Sequence, residues 1–276
     1  MQRDLSIDLI KARPNRRVYG MGLGIMILDE VYPGFPGDVR NASGYPFPIQ
    51  YEVMEDLNCN NIAVTKNNED DAIILASIMK AAKRLEWYGC KAIVAECGYF
   101  SYFQQMVAGE IDIPVFMSSL LQVPMIQQVI GPKKAVGIFC GQASSLSDAH
   151  LTNVGIDLNS NFHVKGAIDE SDCSQFMALW REDYRKDIPE ASYKLAEKEI
   201  LISCKDFVKK HPDIGAIMLE CTGFQSFAKS IQRELDLPVY SWSTLLDYAY
   251  SAVVHRDFYG HVKPVPIEFC KLLSIA

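Results

Sequence analysis

Apolar residues fall into short continuous runs separated by longer amphipathic segments. Continuous runs are typical of parallel strands covered on both faces, whereas half-exposed strands alternate. They predict strands at residues 17–29, 92–96, 115–117, 134–140, 162–166, 216–220 and 239–241. Helical patterns lie between them at residues 70–88, 99–110, 119–129, 144–154, 192–210, 225–235 and 243–255. This order predicts an α/β fold with mostly parallel sheets covered by helices.

An internal repeat divides this pattern into two similar halves. Residues 92–121 align without a gap on residues 216–245, with 12 identities in 30 positions. The stretch AECGYF at residues 95–100 returns as LECTGF at residues 219–224. We therefore predict two pseudo-symmetric lobes with the active site in the cleft between them. The first lobe comprises residues 1–130 and about 244–276, and the second comprises residues 131–243.

Composition limits the class of partner. The chain has 276 residues, 49% of them hydrophobic, and a formal net charge of −7. An acidic chain lacks the basic face that binds nucleic acid or an anionic membrane, so we expect neither as a partner. No apolar run approaches the ~20 residues that cross a bilayer, and the first ten residues are interrupted by charges. Eight cysteines without a CxxC pair indicate reduced thiols, so we expect a cytoplasmic protein.

Two of the cysteines stand at equivalent places in the repeat. Cys97 and Cys221 each follow a predicted strand and precede a predicted helix. In open α/β sheets ligands bind beyond the carboxyl ends of the strands, which is where both thiols are expected. Backbone N–H groups at a helix start hold anions and lower the pKa of a neighbouring thiol. If the lobes face each other, the two thiols meet across one cleft, a geometry suited to proton transfer on opposite faces of a substrate.

The duplicated Glu-Cys stretches, the loop DEVYPGFPGDVRNA and the segment PVFMSSLLQVP resemble the aspartate/glutamate/hydantoin racemase superfamily. The resemblance covers nearly the whole chain. It implies a racemase or epimerase of a small carboxylate, most simply an amino acid, that needs no pyridoxal phosphate, other cofactor or metal. Cys97 and Cys221 would remove and return the α-proton, and a homodimer is expected. The sequence departs from glutamate racemases because Gly98 and Tyr99 follow the first cysteine and Thr222 and Gly223 the second.

The remaining candidate residues carry two interpretations each. Backbone N–H groups near Gly98, Tyr99, Thr222 and Gly223 are expected to bind the substrate carboxylate, with Tyr99 and Phe224 shaping the pocket. Ser118 and Ser119 either cap a helix or contact substrate. In the loop between the first strand and residue 42, Arg40 either binds a second carboxylate or lies in solvent. Asp38 and Asn41 either line the site or form a turn.

Other functions stay open at this level. A maleate-type cis–trans isomerase or a decarboxylase of the same fold is one alternative, and a two-lobed binding or sensor protein is another. The matched cysteines could also be packing positions or a redox pair. Glu96 and Glu220, which precede them, are expected to be structural because strand alternation turns their side chains away from the thiols. The five histidines have no metal-ligand spacing.

Overall fold

The computed structural model of the chain describes residues 12, 18–63, 68–169, 173–181 and 184–256. It contains two four-stranded sheets, and every pair of neighbouring strands is parallel. The first sheet has the order β2-β1-β3-β4 and the second the order β6-β5-β7-β8. The strands are β1 Leu23–Leu28, β2 Ile49–Met54, β3 Ala92–Ala95, β4 Val115–Phe116, β5 Ala135–Cys140, β6 Phe162–Gly166, β7 Ile214–Leu219 and β8 Val239–Tyr240. Helices cover both sheets, so the predicted α/β fold with two similar lobes is confirmed.

Seven of the helices in the described residues correspond to predicted ones, most of them with shorter bounds. The α-helices of the described residues are α1 Cys59–Ala63, α2 Asn68–Tyr88, α3 Gln104–Ala108, α4 Val123–Ile130, α5 Asp148–Thr152, α6 Ser174–Trp180, α7 Tyr193–Lys210, α8 Ala228–Leu235 and α9 Trp242–Val253. Short 3₁₀ helices also form at Ala42–Gly44, Gly98–Phe103, Ser119–Gln122, Ala143–Ser145 and Thr222–Phe227. None of the helices in this part of the chain combines the length and the apolarity that a bilayer crossing requires.

The internal repeat is visible in the backbone. The 3₁₀ helices Gly98–Phe103 and Thr222–Phe227 occupy the same positions of the repeat, and α3 and α8 follow them directly. Each repeat then ends in a two-residue strand, β4 or β8, at one edge of its sheet. The strand before each 3₁₀ helix is central and nearly all apolar, which is why the pattern identified it without ambiguity.

Two helices connect the lobes by packing across them. Helix α9 packs on the first sheet, where Trp242, Leu245 and Leu246 are buried against Leu23 and Ile25. Helix α4 packs on the second sheet through its buried valine and isoleucine. The predicted boundary at residue 130 gives α4 to the first lobe, whereas its apolar face belongs to the core of the second. The division into residue ranges stays a prediction, and the packing shows a reciprocal exchange of helices.

Several elements differ from the sequence-based prediction. The first strand begins at Leu23 and not at residue 17, which lies outside the described residues. Strand β2, helix α1 and helix α6 were not predicted. β2 is an edge strand with only two of its six residues buried, and α6 has seven residues, too few for a clear 3.6-residue period. The missed α6 matters because it forms one wall of the site described next.

Candidate active site

Each repeat places its cysteine immediately beyond the carboxyl end of a central strand. Cys97 precedes the 3₁₀ helix Gly98–Phe103, and Cys221 precedes the 3₁₀ helix Thr222–Phe227. Both residues have extended backbone conformations, which turn the chain from the strand into the helix. Because all strands are parallel, both thiols lie at the edge of the sheets where α/β proteins bind ligands.

The two thiols line one narrow cavity of about 60 Å³. Residues from both halves of the chain form its wall, so the cavity lies between the lobes. Its lining residues are Leu28, Cys59, Asn60, Glu96, Cys97, Tyr99, Gly141, Gln142, Ile168, Phe176, Trp180, Arg181, Glu220, Cys221 and Thr222. Four of the residues predicted from the sequence, Cys97, Tyr99, Cys221 and Thr222, are therefore brought together.

A third thiol, from Cys59 at the start of α1, lies in the same cavity. The side chain of Cys59 lies next to the thiol of Cys97. Interaction with Cys59, together with burial and nearby negative charge, raises the pKa of Cys97 well above its usual range. Nothing in the sequence distinguishes Cys59 from the other unmatched cysteines, because α1 lies outside the repeat.

Cys221 has different surroundings. Burial raises the pKa of its thiol well above the usual range, and the neighbouring Glu220 carboxylate adds to this. The nearby backbone N–H of Gly223 acts in the opposite direction, because it favours the thiolate. The expectation that helix starts lower both thiol pKa values is wrong in direction, since desolvation outweighs the dipole of a six-residue 3₁₀ helix.

Glu96 is held in a dense network on the first-lobe side of the cavity. Its carboxylate forms an ion pair with the Nε of Arg40 and accepts hydrogen bonds from the Tyr32 hydroxyl at 2.5 Å and from the backbone N–H of Leu28 at 2.9 Å. Arg40 also donates to the carbonyl oxygens of Leu28 and Glu30. The side chain of Arg40 is only 14% exposed. It is neither a solvated arginine nor a free carboxylate-binding group, because its donors are used within the protein.

Asp38 and Asn41, which lie beside Arg40 in this loop, also use their side chains for hydrogen bonds within the protein. The Asp38 carboxylate accepts the backbone N–H of Arg40 at 2.8 Å, and burial raises its pKa to about 6. The Asn41 side chain accepts from the backbone N–H and hydroxyl of Ser43 and donates to the carbonyl of Gly34. Neither residue lines the cavity. The turn interpretation of these residues agrees with the contacts.

Glu220 occupies the position equivalent to Glu96 but has far fewer partners. Its Oε2 accepts the backbone N–H of Gly141 at 3.2 Å, and its Oε1 has no hydrogen-bond partner although it is buried. Burial raises the pKa of Glu220 to about 7. Both glutamates line the cavity, contrary to the expectation from strand alternation. The strands end at Ala95 and Leu219, so the alternation does not extend to the residues that follow.

The other predicted residues support the site from outside the cavity. Ser118 accepts the N–H of Leu120 at 3.2 Å and so caps a helix. Ser119 donates to the carbonyl oxygens of Leu219 and Glu220, both at 3.1 Å, at the end of β7. Phe224 is fully buried and packs in the second core against Phe139 and Phe176. A pocket-shaping role for Phe224 is therefore indirect, through Phe176.

The two glycines of the repeat are required by close contacts. A Cβ atom on Gly98 would overlap the carboxylate of Glu220, and a Cβ atom on Gly223 would lie 2.9 Å from the ring of Phe176. The Nε1 of Trp180 lies 3.4 Å from the same position on Gly223 and has no hydrogen-bond partner, although it is buried. Both glycines make room for side chains of the cavity wall.

A histidine cluster forms away from this cavity. Among the described residues, His163, His211 and Asp213 bring ligand atoms within 4.8 Å of one another, which is close enough to hold a metal ion. His163 and Asp213 are 3.0 Å apart and partly exposed. They lie at the amino end of the second sheet, opposite the thiols. The sequence did not indicate this group because His163 is 48 positions from His211 along the chain.

The chain is similar to curated proteins named as lyases. It is 26% identical over 243 residues to a dimethylsulfoniopropionate lyase from Durusdinium sp. clade D, a match that covers 86% of this chain and 77% of the relative. It is also 26% identical over 246 residues to dimethylsulfoniopropionate lyase 7 from Emiliania huxleyi, covering 86% of this chain and 69% of that protein. No protein-family model matches the chain.

These relatives correct the predicted activity. The sequence analysis predicted an isomerase that racemises an amino acid, and that prediction is wrong, because the relatives found by sequence are named as lyases. The error has a physical origin. The paired thiols and the two-lobed fold do not distinguish proton return, which inverts a centre, from loss of a leaving group after the same proton has been removed.

Solved structures agree with the predicted fold. An allantoin racemase from Klebsiella pneumoniae superposes with a TM-score of 0.54 at 14% identity and covers 90% of this chain and 97% of that one. An unliganded arylmalonate decarboxylase superposes with a TM-score of 0.52 at 14% identity, covering 89% and 96%. The chain therefore has the two-lobed α/β fold of the aspartate/glutamate/hydantoin racemase superfamily, as its duplicated cysteine stretches predicted.

Proposed function

We propose that the chain is a lyase that acts on dimethylsulfoniopropionate or a closely similar β-sulfonium carboxylate. The observation that carries the proposal is the match of 86% of the chain to dimethylsulfoniopropionate lyases. The cavity supports it, because it combines thiols, aromatic rings and a guanidinium in a space shared by both lobes. A zwitterion with a carboxylate at one end and an alkylated cation at the other needs such mixed walls.

The reaction requires one base and no acid. The base removes a hydrogen from the carbon next to the carboxylate, and the electron pair left behind forms a double bond to the neighbouring carbon. The bond from that carbon to sulfur breaks, and its electrons leave with the sulfur. The products are neutral dimethyl sulfide, acrylate and the proton held by the base. Because the leaving group departs uncharged, it needs no protonation.

Cys221 is the better placed of the two matched thiols to serve as the base. Its sulfur lies near the backbone N–H of Gly223, which favours a thiolate, whereas the sulfur of Cys97 lies near the thiol of Cys59, which does not. General bases of this kind contribute ~10²–10⁴-fold to a rate. Burial keeps the pKa of Cys221 high, which makes the thiolate scarce at neutral pH but strongly basic once formed.

The substrate carboxylate has donors close to Cys221. The Nε1–H of Trp180 is buried without a partner beside Gly223, and Arg181, the next residue, lines the cavity. A carboxylate held there would place the adjacent carbon near the Cys221 sulfur. Charge-assisted hydrogen bonds to a carboxylate are about twice as strong as neutral ones, so Arg181 also favours the negative charge that develops during proton removal.

The test is release of dimethyl sulfide by the purified protein, measured by headspace gas chromatography with acrylate quantified in the same sample. We expect equal amounts of both products. Cys221→Ala should lose the activity, and Cys204→Ala, which removes a buried thiol of the second core, should keep it. Absence of both products under conditions where the protein is folded would remove the proposal.

The predictions about the substrate class, the oligomeric state and the cellular location belong to this proposal. A small carboxylate as substrate is consistent with the arylmalonate decarboxylase that shares the fold. Assembly as a homodimer and a cytoplasmic location, where thiols stay reduced, are proposed on the grounds given by the sequence. The seven cysteines of the described residues are all free thiols, which suits a reducing compartment.

A further inference from the structure

We propose that Glu220 is the residue that selects a cationic substrate, by holding the methylated onium group of the substrate against Tyr99 and Phe176. This inference rests on the proposed function and deepens it, because it assigns the subsite for the positively charged end. It is argued from the burial of the carboxylate, its missing partner, its place in the cavity and the rings beside it.

The carboxylate of Glu220 has few partners. The residue is 1% exposed, and the only hydrogen bond of its side chain among the described residues is the one from the backbone N–H of Gly141 to Oε2. Oε1 is buried without a partner. A buried polar atom that lacks a hydrogen bond is unfavourable by roughly 1–3 kcal/mol and is rare in folded proteins. Such an atom in a cavity wall is suited to a ligand.

The two glutamates of the repeat differ in charge balance. Glu96 is neutralised by Arg40, whereas no ion pair to Glu220 forms within the part of the chain that the structure describes. The loop of the second lobe that corresponds to the loop of Arg40, residues 141–161, contains no lysine or arginine. A positively charged ligand would supply the missing partner. The raised pKa of Glu220, about 7, agrees with this because burial without a cation disfavours the carboxylate.

Two aromatic rings in the cavity wall indicate which kind of cation would fit beside Glu220. The rings of Tyr99 and Phe176 line the cavity beside Gly141, whose N–H holds Glu220; a Cβ at Gly141 would lie 3.5 Å from the Tyr99 hydroxyl and 3.8 Å from Phe176. Aromatic faces attract alkylated cations with diffuse charge. A primary ammonium needs three hydrogen-bond acceptors, whereas a methylated onium needs none. One free carboxylate oxygen and two rings therefore suit the onium.

The proposed contacts for the carboxylate and for the onium group of the substrate lie in the same cavity. The donors proposed for the substrate carboxylate, Trp180 and Arg181, follow Phe176 on α6 or at its end. Glu220 and Cys221 are adjacent in the chain and line the same cavity as Trp180 and Arg181. A short zwitterion bound in this way presents the carbon next to its carboxylate to Cys221 and its onium group to Glu220.

The experiment compares two ligands of the same shape by isothermal titration calorimetry. One is 3-(trimethylammonio)propionate, whose amine leaves far less readily than dimethyl sulfide, and the other is 4,4-dimethylpentanoate, in which carbon replaces the cationic nitrogen. At pH 8 we expect the wild-type protein to bind the onium at least tenfold more tightly. Glu220→Gln should reduce this ratio to about twofold while leaving the affinity for 4,4-dimethylpentanoate unchanged.

Two further variants make the result specific. Glu234→Gln removes one charge from an exposed ion pair with Lys205 and should keep the wild-type ratio. Phe176→Leu should lower the ratio roughly threefold to thirtyfold, the range of a partly or fully desolvated cation–π contact. The Phe176→Leu variant tests the onium subsite even if Glu220→Gln does not fold. For the wild-type protein the ratio should also fall between pH 8 and pH 6, as Glu220 becomes protonated.

The outcomes separate this inference from the proposed function. An unchanged ratio in Glu220→Gln, or equal binding of both ligands by the wild-type protein, overturns the onium subsite even if dimethyl sulfide is released. A preserved preference for the onium together with no release of dimethyl sulfide supports the subsite and removes the lyase. Normal ligand binding by Glu220→Gln with loss of product formation would make Glu220 a base and would also overturn the subsite.

Discussion

The two Glu-Cys stretches share one backbone plan but have opposite electrostatic surroundings. In the first lobe the carboxylate of Glu96 is paired with Arg40 and receives hydrogen bonds from Tyr32 and Leu28. In the second lobe Glu220 receives one backbone N–H bond and leaves Oε1 without a partner. The difference comes from the loops after the first strand of each lobe, which lie outside the repeat. The two repeats thus share the placement of the thiols. The loops differ, so that Glu96 is held in a network of hydrogen bonds while Glu220 has a carboxylate oxygen without a partner.

The thiols differ in the same sense. The thiol of Cys97 lies near that of Cys59, whereas the thiol of Cys221 lies near the backbone N–H of Gly223. An enzyme that inverts a centre needs two competent bases on opposite faces. An elimination needs one, so unequal surroundings are compatible with a lyase.

The largest expected effect comes from removing the proposed base. Cys221→Ala should lower the rate of dimethyl sulfide release ~10²–10⁴-fold, since it removes a general base. Cys97→Ala should lower it less, because Cys97 lies in the cavity wall without a backbone donor to stabilise its thiolate. Headspace gas chromatography on both variants checks the order. Equal losses, or a greater loss in Cys97→Ala, would contradict the asymmetry.

The second-largest effect is expected from breaking the buried ion pair of Arg40 and Glu96. Arg40→Met leaves the buried carboxylate of Glu96 without its cation and should lower the free energy of unfolding by about 3–5 kcal/mol. Glu220→Gln should leave this free energy unchanged or raise it at pH 8. Urea titration followed by circular dichroism measures both. Arg84→Met is the matched control, since its ion pair with Glu52 is half-exposed at the arginine and should affect stability far less.

The pH dependence of stability tests the burial of the Glu220 carboxylate. The pKa of Glu220 is raised from 4.5 to about 7, so the folded state favours its neutral form. The resulting stabilisation is fully present below pH 4.5 and is lost as the pH rises through 7, a change on the order of 3 kcal/mol. Unfolding free energies measured from pH 4.5 to 8 should therefore decline less in Glu220→Gln than in the wild-type protein. The same slope in both proteins would show that Glu220 is not the group responsible.

The smallest expected effect concerns the contact between the repeats. Gly98→Ala introduces a Cβ where the Glu220 carboxylate lies and should lower the free energy of unfolding by about 1–3 kcal/mol, as overpacking does. In a double-mutant cycle Glu220→Ala should remove most of this loss, because it clears the space. Gly34→Ala is the control, since its Cβ would meet nothing closer than 4.0 Å. Additive effects in the cycle would mean that the two residues do not interact.

The sequence by itself determined the fold and the position of the thiols. Continuous apolar runs specify parallel strands because such strands are buried on both faces, and β6 at Phe162–Gly166 matches its predicted range. The repeat placed Cys97 and Cys221 at equivalent strand ends, and closure of the lobes brought them to one cavity. These features are local or periodic, so they can be read from the order of residues.

Only the tertiary structure decided the surroundings of those thiols. Cys59, Phe176 and Trp180 reach the cavity from α1 and α6, short helices whose positions depend on packing across the lobes. The pairing of Arg40 with Glu96, 56 positions away, decided that one glutamate is neutralised and the other is not. Charge balance and desolvation depend on distances between remote residues, and one sequence carries no record of those distances. For the same reason the sequence identified a site for removing a proton. It did not show whether the carbon then regains a proton or whether the neighbouring carbon loses its leaving group.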